Sequence, residues 1–256
     1  MSFNNYKLTY EPKGDVLGIV KKGKKAEAVL SITDTARSGG AELSLDGTEK
    51  FEPCPNTNKE RDVLYIFGQS GSGKSYYVQM YATNYKHLFP KNNIFVFSTL
   101  DSDKEGLDKI KGLKRIKLNK DFIDDEIIPT ADFKDSLIIF DDVDNISDKK
   151  TKAVVWTYMN NFLQTGRHHK ISVAITFHVS AGGNSTKMIL NEATSLTFFP
   201  ATIGGRNLKY ICDSYLGMEK EQIKKLKKIN SRWITVLKTY PKVILSEKES
   251  FILKND

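Results

Sequence analysis

Apolar residues in this chain fall mainly into short unbroken runs, and those runs predict the strands of a buried sheet. Val63 to Phe67, Asn93 to Ser98, Ser136 to Phe140, Ile171 to Phe177 and Ser195 to Phe199 are the main ones, with Leu113 to Leu118 as a shorter candidate. Runs of this kind suit strands covered on both faces. Helix-period stretches separate them: Ser75 to Phe89, Asp148 to Thr165 and Ser185 to Ala193. In the second of these Val155, Met159 and Phe162 share a face, and Gly166 is placed to end the helix. Asp121 to Thr130 is acidic and predicted to be peripheral. Alternating strands and helices imply an α/β fold, with a mostly parallel sheet and helices on both faces. Sites in such sheets lie at the carboxyl ends of the strands. Gly68, Asp141, Asp142 and His178 all fall there.

The two ends of the chain read differently. Residues 1–58 predict a small β-rich accessory region, with strands at Val16–Val20, Ala26–Ile32 and Leu43–Leu45. Lys21-Lys-Gly-Lys-Lys25 is a basic hairpin tip between the first two. It is either a nucleic-acid contact or a solvated turn. Glu52 to Asn58, polar and twice broken by proline, reads as a linker to a second unit over 59–256. That unit finishes with helices at Asn207–Leu216 and Lys220–Lys228, then antiparallel strands at Trp233–Leu237, Val243–Leu245 and Ser250–Leu253.

Composition narrows the picture only a little. The 256 residues are 39% hydrophobic and carry a formal net charge of +8, compatible with an anionic partner or with mere solubility. The two cysteines, Cys54 and Cys212, lack metal or redox spacing and suit a reducing compartment. The amino terminus lacks the apolar run of a signal peptide, and no apolar run reaches membrane-spanning length. The expectation is a soluble intracellular protein with no direct membrane insertion.

Candidate chemistry centres on Gly68-Gln-Ser-Gly71-Ser-Gly73-Lys74-Ser75, which matches G-x-x-x-x-G-K-S after a strand and before a helix. Glycines let the backbone wrap a polyphosphate with its N–H groups inward, and the helix start adds unsatisfied donors. Lys74 can reach the β- and γ-phosphates of ATP, and the Ser75 hydroxyl can hold Mg²⁺. Gly68, Gln69, Ser70, Gly71, Ser72, Gly73, Lys74, Ser75 and Tyr76 are the expected nucleotide contacts. Downstream, Leu137 to Phe140 leads into Asp141 and Asp142. Asp141 is placed as a metal carboxylate, and Asp142 as the base that polarises attacking water.

Other polar residues keep two readings each. His178, at the end of the next strand, either senses the γ-phosphate and orients water or is a hydrogen-bonded loop residue. Arg167, after the helix, either reaches a neighbour's nucleotide or satisfies the helix C-terminus. Arg206 and Arg232 are weaker candidates for the same role. His168 and His169 diverge and have no third ligand, so zinc is not expected. The lysine-rich helix Lys220–Lys228 is either a solvated face or a phosphate-backbone contact.

Five stretches together carry a family likeness: Tyr65–Ser75, Asp135–Asp142, Thr165–His169, Leu190–Ala193 and Ser231–Pro241. Over roughly residues 50–253 the chain resembles the genome-packaging ATPases of large double-stranded DNA viruses, the poxvirus-like group of the FtsK/HerA superfamily of P-loop NTPases. The resemblance implies a sheet in which the Ile171–Phe177 strand inserts between the phosphate-loop (Walker A) and acidic (Walker B) strands. It implies ATP and Mg²⁺ as cofactors, and a homo-oligomeric ring, pentamer or hexamer, acting on double-stranded DNA. A capsid or portal-like vertex, or a membrane-associated capsid protein, would be its partner. Host cytoplasm, viral factory or virion would be its location. Lys74 and Ser75 would bind ATP and Mg²⁺, Asp141 the metal, with Asp142 as base and Arg167 acting in trans. Two positions depart from the superfamily pattern: Asp142 where many members have Glu, and His178 where many have Gln. A nucleoside kinase-like phosphotransferase and a non-hydrolysing nucleotide-dependent scaffold are the alternatives.

Overall fold

The computed structural model describes residues 5–103 and 106–253. Five strands come first: β1 (Lys7–Thr9), β2 (Asp15–Lys22), β3 (Lys25–Thr33), β4 (Glu42–Ser44) and β5 (Lys50–Glu52). The alternating part follows with β6 (Val63–Phe67), α1 (Lys74–Leu88), β7 (Asn93–Ser98), β8 (Leu113–Lys117), α2 (Lys120–Asp124), β9 (Ser136–Asp141), α3 (Lys149–Thr165), β10 (Ser172–Phe177), α4 (Asn184–Glu192) and β11 (Ser195–Phe198). Helices α5 (Gly205–Ser214) and α6 (Lys220–Lys228) precede β12 (Ile234–Leu237), β13 (Val243–Ser246) and β14 (Glu249–Ile252).

A sheet of 10 strands runs β4-β14-β13-β12-β11-β6-β10-β9-β7-β8. From β11 to β8 the pairs are parallel; from β11 to β4 they are antiparallel. The expected insertion is present: β10 lies between β6 and β9 and pairs with both. Every residue of β6, β9 and β10 is buried, which is why their sequences are near-continuous apolar runs rather than alternating ones.

Alternate residues of these strands feed two cores. Tyr65, Phe67, Phe97, Phe140 and Phe177 face α3 and the later helices. Leu64, Ile66, Val96, Ile139 and Ala174 face α1. Over that second face also lies a four-stranded antiparallel sheet, β1-β3-β2-β5, contributing Leu8, Leu17, Val20, Leu30, Ile32 and Phe51. The basic hairpin tip is present as the turn from β2 to β3, and Lys21 pairs with Glu52 at 2.8 Å.

Two local expectations change. The Leu43 strand does not join the small sheet but extends the large one against β14. Its former place is taken by β5, whose single apolar residue, Phe51, gives too little pattern to announce a strand. The stretch read as a linker is not solvated either: Pro53, Cys54, Pro55 and Asn56 are buried, and Asn84 of α1 donates to the Pro53 carbonyl at 2.9 Å. Gly166 ends α3 as expected, in a right-handed conformation, and the chain continues as a short 3₁₀ turn. Lys170 takes the left-handed position instead, at φ +53°.

The glycine at 166 has a different reason. Arg61 donates to the Phe162 and Leu163 carbonyls at 2.6 and 2.7 Å, satisfying groups the helix end leaves open. A Cβ at 166 would stand 2.9 Å from the Arg61 guanidinium. Arg61→Ala is therefore expected to destabilise the fold by about 1–3 kcal/mol, the cost of leaving partly buried polar groups unpaired. Thermal unfolding checks it: a midpoint within one degree of the parent would show that Arg61 is dispensable.

Candidate active site

The chain turns at Phe67 straight into the loop that precedes α1. At Gly68 the backbone passes so close to Phe199 that a Cβ would lie 2.8 Å from its ring. Gly73, at φ +109°, supplies the turn from loop into helix, a conformation other residues rarely adopt. The loop therefore lies at the carboxyl edge of the sheet, next to the donors of a helix N-terminus; within it the Gly68 N–H donates to the Phe177 carbonyl and the Ser72 N–H to that of Gln69.

Lys74 is 5% exposed. Its ammonium donates to the carbonyls of Gly68 at 3.0 Å and Gln69 at 3.4 Å, and stands 3.5 Å from Asp142 Oδ1. The lysine of the loop and the second acid of the neighbouring motif thus share one pocket. Ser75 and Tyr76, in the first turn of α1, are exposed. The Arg232 guanidinium lies 5.1 Å from the centre of the Tyr76 ring, held there by bonds of 2.7 and 2.9 Å to Glu247.

Asp141 is 7% exposed at the end of β9. Its described hydrogen-bond partners are hydroxyls: Thr176 Oγ1 at 3.1 Å and Ser98 Oγ at 3.5 Å. Burial raises its pKa above the ordinary carboxylate value, and the adjacent Asp142 raises it further. Asp142 leaves the strand in a left-handed conformation, φ +50°. Its N–H donates to Thr176 Oγ1 at 2.9 Å, and that hydroxyl lies 3.2 Å from Asp142 Oδ1. One hydroxyl, with one proton, thus spans both acids. Asp142 has the Lys74 ammonium beside it, whereas the hydrogen-bond partners of Asp141 among the described residues are hydroxyls; Asp141 and the Ser75 hydroxyl are oxygen donors of the type Mg²⁺ takes.

His178 closes the far side. Its backbone N–H donates to Asp144 Oδ2 at 2.8 Å, which fixes where the ring begins. Ring Nδ1 lies 2.9 Å from Asn145 Nδ2 and 3.5 Å from Asp144 Oδ1, so that nitrogen is held between an amide and a carboxylate. Nε2 stands 3.6 Å from Asp142 Oδ2. Lysine and imidazole thus converge on one carboxylate, that of Asp142.

Arg167 lies elsewhere. It sits in the turn just before β10 and pairs with Glu60, just before β6, so it occupies the amino edge of the sheet. At about 3.3 Å per strand residue, roughly 15 Å separates it from the loop of its own chain. Its side chain is 72% exposed, facing outward rather than into this site. Arg206 begins α5, while Arg232 stands beside Tyr76 at the loop.

Sequence reasoning passed over Thr176, Ser98, Asp144 and Asn145. The signal for the first two was a hydroxyl at the carboxyl end of an otherwise apolar strand, which only strand pairing could bring beside Asp141.

No protein-family model matches the chain. A viral relative, the uncharacterized protein V3 of Sputnik virophage, is 40% identical over 249 residues, spanning 96% of this chain and 97% of that protein. Among solved structures, the pCW3 conjugation coupling protein TcpA, in its monomer form with ATPγS, superposes with a TM-score of 0.53 at 14% identity. It covers 90% of this chain and 76% of that one. The genome packaging NTPase B204 of Sulfolobus turreted icosahedral virus 2, solved with AMPPCP, gives 0.49 at 15% identity, over 73% of this chain and 98% of that one. At 14% identity the likeness to TcpA is one of fold. With a mostly parallel sheet, a phosphate loop after β6 and β10 inserted before the acidic strand, the chain has a P-loop NTPase fold and belongs to the family of the Sputnik virophage protein V3.

Proposed function

We propose that this protein is an ATP-hydrolysing motor that moves double-stranded DNA into a viral capsid as a homo-oligomeric ring. The observation that carries the hydrolytic part is the approach of Lys74 to Asp142, 3.5 Å, beside the glycine-rich loop. On this reading the loop amides other than those of Gly68 and Ser72, which already donate to backbone carbonyls, hold the triphosphate, and Lys74 exchanges its carbonyl partners for phosphate oxygens. Ser75 and Asp141 hold Mg²⁺, which when bound neutralises charge on the phosphates. Asp142 accepts the proton of the attacking water, and His178, anchored through Asp144 and Asn145, orients that carboxylate. Tyr76 lies against the nucleotide, and Arg167, exposed on the opposite edge, serves the next copy's nucleotide. Residues 59–256 form the ATPase unit and 1–58 its accessory region.

The packaging part is supported by a viral relative that spans nearly the whole chain and by the basic balance of +8. The matching partner is duplex DNA at a capsid vertex, in host cytoplasm or a viral factory. Among the described residues no helix is long and apolar enough to cross a membrane. The test is phosphate release by the purified chain with and without duplex DNA. Duplex is expected to raise turnover several-fold, and the stimulation should fade between about 50 and 200 mM salt as phosphate contacts are screened. Turnover indifferent to duplex, or phosphate passing to an added nucleoside, would overturn the reading.

A further inference from the structure

Helix α3 carries two unlike surfaces on its two flanks. On one, Lys149, Lys152 and Trp156 share a stripe one helical turn apart. Trp156 stacks on Phe177 with ring centres 5.7 Å apart, and Lys152 Nζ lies 5.2 Å from the Trp156 ring. Together with His178 and Val179 these residues line an open groove of about 590 Å³. Val179 is 45% exposed in it. The groove is apolar in its floor, with Lys149 and Lys152 along its rim and Asp144 and Asn145 at the end beside His178.

On the other flank the helix presents Tyr158, whose ring packs on Phe122 and Phe97. The Tyr158 hydroxyl accepts from Ile128 N–H at 3.0 Å, which pins a short segment there. That segment is Asp124-Asp-Glu-Ile-Ile128, and every residue of it is exposed. Ile127 and Ile128 are 37% and 46% exposed, side by side after three acids. It is the chemical inverse of the groove: acidic where the groove is basic, with two aliphatic side chains to cover an apolar floor.

We infer that the Asp124–Ile128 segment of one copy of this chain docks into the Lys149–Lys152–Trp156 groove of the next. Two complementary patches on different faces make a head-to-tail contact, the type that generates rings, whereas one self-complementary patch would stop at a dimer. The inference rests on the ring reading above and deepens it by naming the surfaces. It has a consequence for the site. The groove ends at His178, whose Nδ1 meets Asn145 and whose Nε2 faces Asp142. An arriving neighbour therefore covers the side of the imidazole that positions the acid, and assembly and hydrolysis are coupled through His178.

Charge reversal distinguishes this contact from the alternatives. K149E/K152E and D124K/D125K should each weaken self-association at least tenfold in sedimentation with an ATP analogue. The chain carrying all four changes should regain most of it, because the reversed segment again meets a reversed groove. Should K149E/K152E misfold, D124K/D125K alone, on an exposed segment, still decides. Self-association unchanged by D124K/D125K overturns the inference. So does a groove variant that loses duplex binding while assembling normally, which would make the groove a DNA contact. A parent chain that hydrolyses ATP yet stays monomeric also overturns it and spares the hydrolytic reading. A ring broken by these changes but inert toward ATP would leave the docking standing and remove the motor.

Discussion

Asp142→Asn should lower ATP turnover by about 10²- to 10⁴-fold, the range general-base catalysis supplies, while leaving affinity for an ATP analogue within a few-fold. Asparagine is the informative replacement because of the backbone. Asp142 sits at φ +50°, which Asn tolerates and most residues do not, so Ala would confound loss of charge with strain. The amide can still accept from the Thr176 hydroxyl, which lies 3.2 Å from Asp142 Oδ1. Only the charge goes. Lys74, 3.5 Å away, then loses its carboxylate partner and is freer to meet phosphate, so binding is not expected to suffer. Asp141 also loses the neighbouring charge that helps raise its pKa, which favours its ionised form. Single-turnover phosphate release beside analogue titration separates the two effects. Turnover within threefold of the parent would remove Asp142 from the chemistry, whatever its position beside Lys74.

How much of this arrangement the sequence disclosed depends on the range of the interactions involved. The strands β6, β9 and β10 were plain because each is buried on both faces and so is apolar throughout. The phosphate loop was plain because its conformational needs are met by residues adjacent in sequence. The order β6-β10-β9 could not be read from any run; only the family likeness suggested it. That order is what places Thr176 beside Asp141, 35 residues away. The exchange of β4 for β5 in the small sheet failed for a similar reason. A three-residue strand with a single buried side chain carries almost no periodic signal, and pairing decides its fate. Gly166 shows the limit in another way. It ends the helix as its position suggested, but the room it leaves for Arg61, more than 100 residues earlier, shows in no local pattern.

Asp141→Asn is expected to abolish metal-dependent turnover and, at the same time, to make the protein more stable at neutral pH. Both follow from one fact: a 7% exposed carboxylate is held by hydroxyls rather than by a cation of the chain. Burial first, and then the Asp142 charge, raise its folded pKa above the unfolded value of about 3.9. A carboxyl raised in this way holds its proton better folded than unfolded. Its favourable contribution is therefore complete below about pH 4 and is lost as pH climbs through the raised folded value. Asn cannot ionise; its amide oxygen can accept from Thr176 as the acid does, and its NH₂ can donate to the Ser98 hydroxyl, reversing that bond. Without Mg²⁺, the variant should melt at the parent's temperature near pH 4 and above it at pH 7.5, by a margin worth about 0.5–2 kcal/mol. Adding Mg²⁺ with nucleotide should raise the parent's melting temperature and close the gap, because only the parent gains a cation at this carboxylate. A variant that melts below the parent at pH 7.5 would mean that the Asp141 charge is compensated within the fold. The buried acid would then be a structural ion rather than a site kept under electrostatic strain for a metal to relieve.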